Sequence, residues 1–127
     1  MDLNFLTLAE VLEIHRDQLE NYGGNPGIRD MGLLESALAM PKAGFGSQFL
    51  HTNLYEMAAA YLFHIVQNHP FFDGNKRTGA VAAYVFLALN DQEVNADESE
   101  FEKIVMDVAE GKIDKGTLAA FFRIHCS

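Results

Sequence analysis

Apolar positions along the chain recur in helical order and not in alternation. Leu8, Val11, Leu12, His15 and Leu19 follow at three- and four-residue spacing, with Thr7 and Glu10 set as a capping box and Gly23-Gly24 as a stop. This predicts a first helix over Leu8 to Tyr22. Gly24-Asn25-Pro26-Gly27 is a turn cluster, after which Asp30 caps a brief second helix carrying Leu33, Leu34, Ala37 and Leu38 and ending before Pro41. From Pro41 to Thr52 the helical period is lost. Phe45, Phe49 and Leu50 sit there among Gly44, Gly46 and Ser47, the composition of an exposed loop or small hairpin. Such a flap offers a strand edge on which a target segment could be laid.

The stripe Leu54, Met57, Ala58, Tyr61, Leu62, Ile65 predicts a third helix over Leu54 to Asn68, ended by Pro70. Asn75 to Leu89 is apolar nearly all round beyond its first turn, which predicts a buried fourth helix at the centre of the core. Asp97 with Glu100 starts a fifth helix ending near Gly111, and Asp114 caps a sixth holding Leu118, Ala119, Phe121 and Phe122. The expected fold is all-α: one domain over 1–127, about six helices, and a small flap before the central helix pair.

At 127 residues and 49% apolar content the chain has material for one core and, by length, one domain. Cys126 is the only cysteine, so no internal bridge forms. Met1-Asp2 opens with an acid, and Glu56, Asp73, Lys76 and Arg77 break up the most apolar stretch. The expectation is a cytoplasmic chain with no leader and no membrane partner. A net charge of −9 opposes a phosphate backbone, so nucleic acid is not an expected partner. The acids from Asp91 to Glu102 read as a solvated face.

The most polar loop, His69-Pro70-Phe71-Phe72-Asp73-Gly74-Asn75-Lys76-Arg77-Thr78, lies between the two most apolar helices. Helix boundaries account for Pro70 and for Asp73 as a cap, and core filling accounts for Phe71 and Phe72. Lys76 and Arg77 are left unexplained, because cations in a first helical turn oppose the positive end of the helix dipole. An anion there resolves the conflict. The N–H groups of Gly74, Asn75 and Lys76 form a phosphate cradle reinforced by both cations. Asp73 is placed to hold a Mg²⁺ that bridges phosphate oxygens, and His69 is typed to accept a proton from a hydroxyl. Base, metal ligand and cradle together indicate phosphoryl or nucleotidyl transfer.

These residues resemble the Fic superfamily motif, His-x-Phe-x-Asp/Glu-Gly/Ala-Asn-Gly/Lys-Arg-x-x-Arg, in its lysine-bearing death-on-curing (Doc) form. Tyr22-Gly23-Gly24, Gly27-Ile28-Arg29-Asp30 and Gly32 to Ala37 also look like the N-terminal part of Doc-like proteins. The resemblance implies the Fic fold, with His69 as catalytic base, Asp73 as Mg²⁺ ligand, Gly74, Asn75 and Lys76 as anion turn, and Arg77 as catalytic phosphate contact. Phe71 would anchor the loop. Ala80 replaces the second arginine of nucleotidyl-transferring members and Lys76 their glycine. Doc proteins share both departures. The implied activity is therefore ATP-dependent phosphorylation of a protein serine or threonine, with translation elongation factor Tu as target class. AMP transfer and a silent binding protein are the alternatives. Thr52-Asn53-Leu54-Tyr55-Glu56 has the spacing of an internal inhibitory helix but is followed by Met57, so restraint is expected from an antitoxin protein in trans.

Other chemistry is not indicated. His15, His51, His64 and His125 lack a metal-binding spacing and read as packing or surface residues. Gly74 to Thr78 lacks the first P-loop glycine and a preceding strand, and no nucleophile elbow exists for a hydrolase.

Overall fold

Thr7 accepts from the Glu10 N–H while Glu10 Oε1 accepts from the Thr7 N–H, and this closed capping box starts α1 (Leu8–Tyr22). The computed structural model describes residues 3–46 and 48–127; Met1, Asp2 and Ser47, which enter the leader and flap readings, lie outside these. Asp30 caps α2 (Met31–Ala39) by accepting from the Leu33 N–H. Then comes a 3₁₀ turn, Met40–Lys42, shorter than the helical period that sequence spacing can reveal. The flap is a hairpin of β1 (Gly44–Phe45) and β2 (Gln48–Phe49), antiparallel, with Gly44 opposite Phe49. Phe45 at its tip is 94% exposed.

The central pair is α3 (Leu54–Asn68) and α4 (Asn75–Leu89), followed by α5 (Glu98–Ala109) and α6 (Lys115–His125). The fold is all-α, as expected, and no helix among the described residues is long and apolar enough to cross a membrane. The expectation that α4 is the buried centre needs correction. α3 is the centre: Met57 to Leu62 are all buried, and α2, the 3₁₀ turn, α4, α5 and α6 all pack on it. Ala58-Ala59-Ala60 leaves room for neighbours on every side, whereas α4 keeps Lys76, Arg77, Tyr84 and Leu89 in solvent. Asp97 likewise precedes α5 without capping it through its side chain.

Where α3 faces α6, Lys115 Nζ lies 2.9 Å from His64 Nε2. An ammonium only donates, so Nε2 accepts and the neutral ring carries its proton on Nδ1. Burial, helped by the charges of Lys115 and His51, lowers the His64 pKa from 6.5 to about 4. The unfolded chain therefore binds this proton at higher pH than the folded one. The stability tied to neutral His64 is complete above pH 6.5, is lost as pH falls toward about 4, and changes no further below that. Thermal melting followed across this interval should show a shallower decline in His64→Gln than in the wild type; identical slopes would exclude His64 as the cause.

Candidate active site

The α3–α4 loop is shaped at its start by an unusual backbone. His69, the C-cap of α3, adopts the left-handed conformation at φ 51°, ψ 53°, which costs a non-glycine residue about 1–3 kcal/mol. The segment between α1 and α2 supplies compensating bonds. Arg29 Nε and Nη2 donate to the carbonyls of His69 (2.7 Å) and Asn68 (3.0 Å). The backbone N–H groups of Arg29 and Asp30 donate to Pro70 O at 2.7 and 3.0 Å. Further along, the Phe72 N–H donates to Gly27 O at 3.3 Å and the Asn25 N–H to Asp73 Oδ2 at 2.7 Å. Residues 25–30 thus strap residues 68–73. Gly24 makes room for this: at φ +126° a Cβ there would stand 3.0 Å from Asp73 Cβ and 2.9 Å from Leu19 Cδ2.

Beneath the loop, Phe71 is fully buried, the anchor its place in the motif implied. Phe72 is 54% exposed, so it does not fill the core; one phenylalanine, not two, plugs it. The His15 ring stacks on Phe71 at 3.7 Å between centroids and 9° between planes, and its Nε2 donates to Asp73 O at 2.9 Å. Asn75 is buried under the loop. Its Oδ1 accepts from the Phe71 N–H (3.0 Å), and its Nδ2 donates to Phe71 O (3.0 Å) and to His69 Nδ1 (3.1 Å). The two bonds to Phe71 fix the amide orientation. Nδ1 of His69 is consequently an acceptor, and the neutral ring carries its proton on Nε2.

At the far end Gly74, not Asp73, is the N-cap of α4, with φ 81° and no side-chain cap. Asp73 is drawn to Asn25 instead. Among the described residues no protein acceptor meets the N–H groups of Gly74, Asn75, Lys76 or Arg77, so the positive end of α4 is open. Lys76 and Arg77 are exposed beside it, and the Arg77 guanidinium sits 4.3 Å above the Tyr22 ring. A cleft of about 820 Å³ opens from here. One wall carries Asp73, Gly74, Lys76, Arg77 and Ala80; α5 adds Glu98, Phe101, Glu102 and Val105. His69 is outside the cleft lining, tied to the cradle through Asn75.

The arrangement can receive a phosphate at the α4 terminus. Asp73 Oδ1 has no protein partner among the described residues, and no cluster of three His, Cys, Asp or Glu side chains suits a resident metal there. One carboxylate with a free oxygen fits an ion shared with substrate phosphates. His15, Asn25 and Arg29 escaped the sequence reading of the site. His15 left a signal, a polar side chain in an apolar stripe, whereas Arg29 left none beyond the family-like segment around it.

An all-α frame in which two central helices are joined by a strapped loop, histidine at its head and open helix terminus at its foot, defines a recognised class. The chain belongs to the Fic/DOC family, whose sequence profile matches residues 5–87. Among individual relatives, it is 37% identical over 101 residues to "Toxin Doc" of Mycolicibacterium smegmatis (strain ATCC 700084 / mc(2)155), covering 78% of each chain. It is 32% identical over 121 residues to "Protein kinase doc" of Escherichia phage P1, covering 95% of this chain and 94% of that one.

Proposed function

We propose that this chain is a Doc-like kinase that transfers the γ-phosphoryl group of ATP to a serine or threonine hydroxyl of a protein, acting as a toxin in the cytoplasm and restrained by a separate antitoxin protein. The observation that carries the reading is the uncapped α4 terminus with Lys76 and Arg77 beside it. The names of the two relatives agree with it. By resemblance, the target class is translation elongation factor Tu.

The geometry favours the terminal phosphate. Beyond the cradle the cleft offers Ala80 where a second cation would be needed, and Glu98 and Glu102 on α5 repel phosphates placed deeper. The phosphate chain therefore ends at the cradle. The attacking hydroxyl oxygen bonds to the γ-phosphorus as the bond to the β–γ bridging oxygen breaks, and ADP leaves. The hydroxyl proton goes to His69 Nδ1, the ring atom with a lone pair, as the Asn75 amide gives up that contact. Arg77 and the α4 N–H groups hold the charge on the transferring oxygens. Mg²⁺, held by Asp73 when bound with ATP, would neutralise phosphate charge. Glu56 is committed to the start of α3, accepting from Thr52 and Asn53, which supports restraint in trans.

The test is incubation of the protein with Mg²⁺, a bacterial lysate and ATP labelled at the α or the γ position. Label should reach a protein from the γ position. Label from the α position only would overturn the kinase reading in favour of AMP transfer.

A further inference from the structure

The chain's cations gather in a second place. Of nine lysines and arginines, Arg16, Lys103 and Lys112 pair with carboxylates, and Arg29 caps α3. Of the five without such partners among the described residues, Lys76 and Arg77 line the large cleft. Lys115 and Arg123 line a separate pocket of about 280 Å³ between the start of α3 and α6, with His51, Glu56 and Ala119. Lys115 donates to His64 and Arg123 lies over the Tyr55 ring, but neither meets a carboxylate among the described residues, which leaves their charge uncompensated by an ion pair in a protein of net charge −9.

His51 supplies an independent sign of a ligand. It is 8% exposed and lines the pocket, and among the described residues its buried Nε2 has no hydrogen-bond partner. An unsatisfied buried polar atom of this kind costs about 1–3 kcal/mol and marks a place where a missing partner belongs.

We propose that this pocket is an anion site for a single carboxylate group, held by Lys115 and Arg123 against the His51 wall. The charge balance selects a carboxylate over a phosphate. Burial pushes both His51 and His64 down, so both rings are neutral at pH 7. Glu56 cancels one of the two cations, although its carboxylate already accepts from Thr52 and Asn53. One net positive charge remains, which a monoanion neutralises and a phosphate dianion exceeds. The volume is just below the usual range for small-molecule pockets, about 300–1,000 Å³, and suits one carboxylate on a short stem. Neither cation belongs to the transfer site, so the proposal stands apart from the kinase reading.

The experiment follows the histidine ring signals of the full chain by ¹⁵N–¹H NMR during titration with sodium acetate, with chloride holding ionic strength constant. The His51 signals should move along a saturating curve. In Lys115→Gln and in Arg123→Gln, each shown folded by its melting curve, binding should weaken by about tenfold or more. A parallel titration with N-acetylglutamate α-amide distinguishes sources: tighter binding than acetate identifies an acidic side chain of a protein, and binding of acetate alone a free small carboxylate. Shifts that do not saturate, curves unchanged in both variants, or phosphate binding as well as acetate would overturn the proposal.

Discussion

Replacing Arg77 or His69 by alanine should nearly abolish label transfer from γ-labelled ATP, and the two losses should differ in kind. Arg77 lines the cleft at the open end of α4, where the proposed transfer would place the charge of the phosphoryl oxygens. Removing one such stabilising group costs about 10²–10³ in rate. It also removes a ground-state phosphate contact, so Arg77→Ala should lose the rise in melting temperature that ATP with Mg²⁺ gives the wild type. His69 lies outside the cleft lining and meets the cradle only through Asn75. Its loss removes a base worth about 10²–10⁴ in rate but leaves nucleotide binding in place, so His69→Ala should keep that melting shift. Expressed alone in bacteria, the wild type should slow growth and both variants should not. A His69→Ala protein as inhibitory as the wild type would remove the toxin reading.

Asn75→Ala should cause a large loss of stability from one exchange of a small side chain. Asn75 alone satisfies both the N–H and the carbonyl of Phe71, whose side chain is fully buried. Its removal orphans two buried backbone groups at about 1–3 kcal/mol each, and releases His69 Nδ1 as well. The urea midpoint should fall accordingly with an unchanged slope. Asn75→Asp separates the contributions. It can still accept from the Phe71 N–H, cannot donate to Phe71 O, and places an acceptor against Nδ1 that favours a proton there. It should recover little of the stability and none of the activity. A midpoint for Asn75→Ala within error of the wild type would show that the Phe71 bonds contribute nothing net.

How much was legible in the sequence depends on how far apart the interacting residues stand. The bounds of α1, α3 and α4 agree with their periodic stripes and end signals, because capping bonds and helical spacing join residues three or four positions apart. The open start of α4 was legible for the same reason: a glycine before a helix followed by two cations is a local conflict with the helix dipole. Asp73 as a cap was misread because its carboxylate is claimed by Asn25, 48 positions away. The strap of residues 25–30 on 68–73, the stacking of His15 on Phe71, and the pocket joining His51 to α6 are likewise contacts between distant segments. No period or cap connects such positions. That α3 and not α4 forms the centre was also undecided in sequence, since both are apolar and only the packing of five neighbours around the Ala58–Ala60 surface distinguishes them. The sequence by itself determined the helices and the uncapped turn before α4 with its two cations, through interactions within a single helical turn. Tertiary structure alone decided which helix is central and what holds the turn and the His69 ring in place, through hydrogen bonds and packing that exist only after the chain has closed.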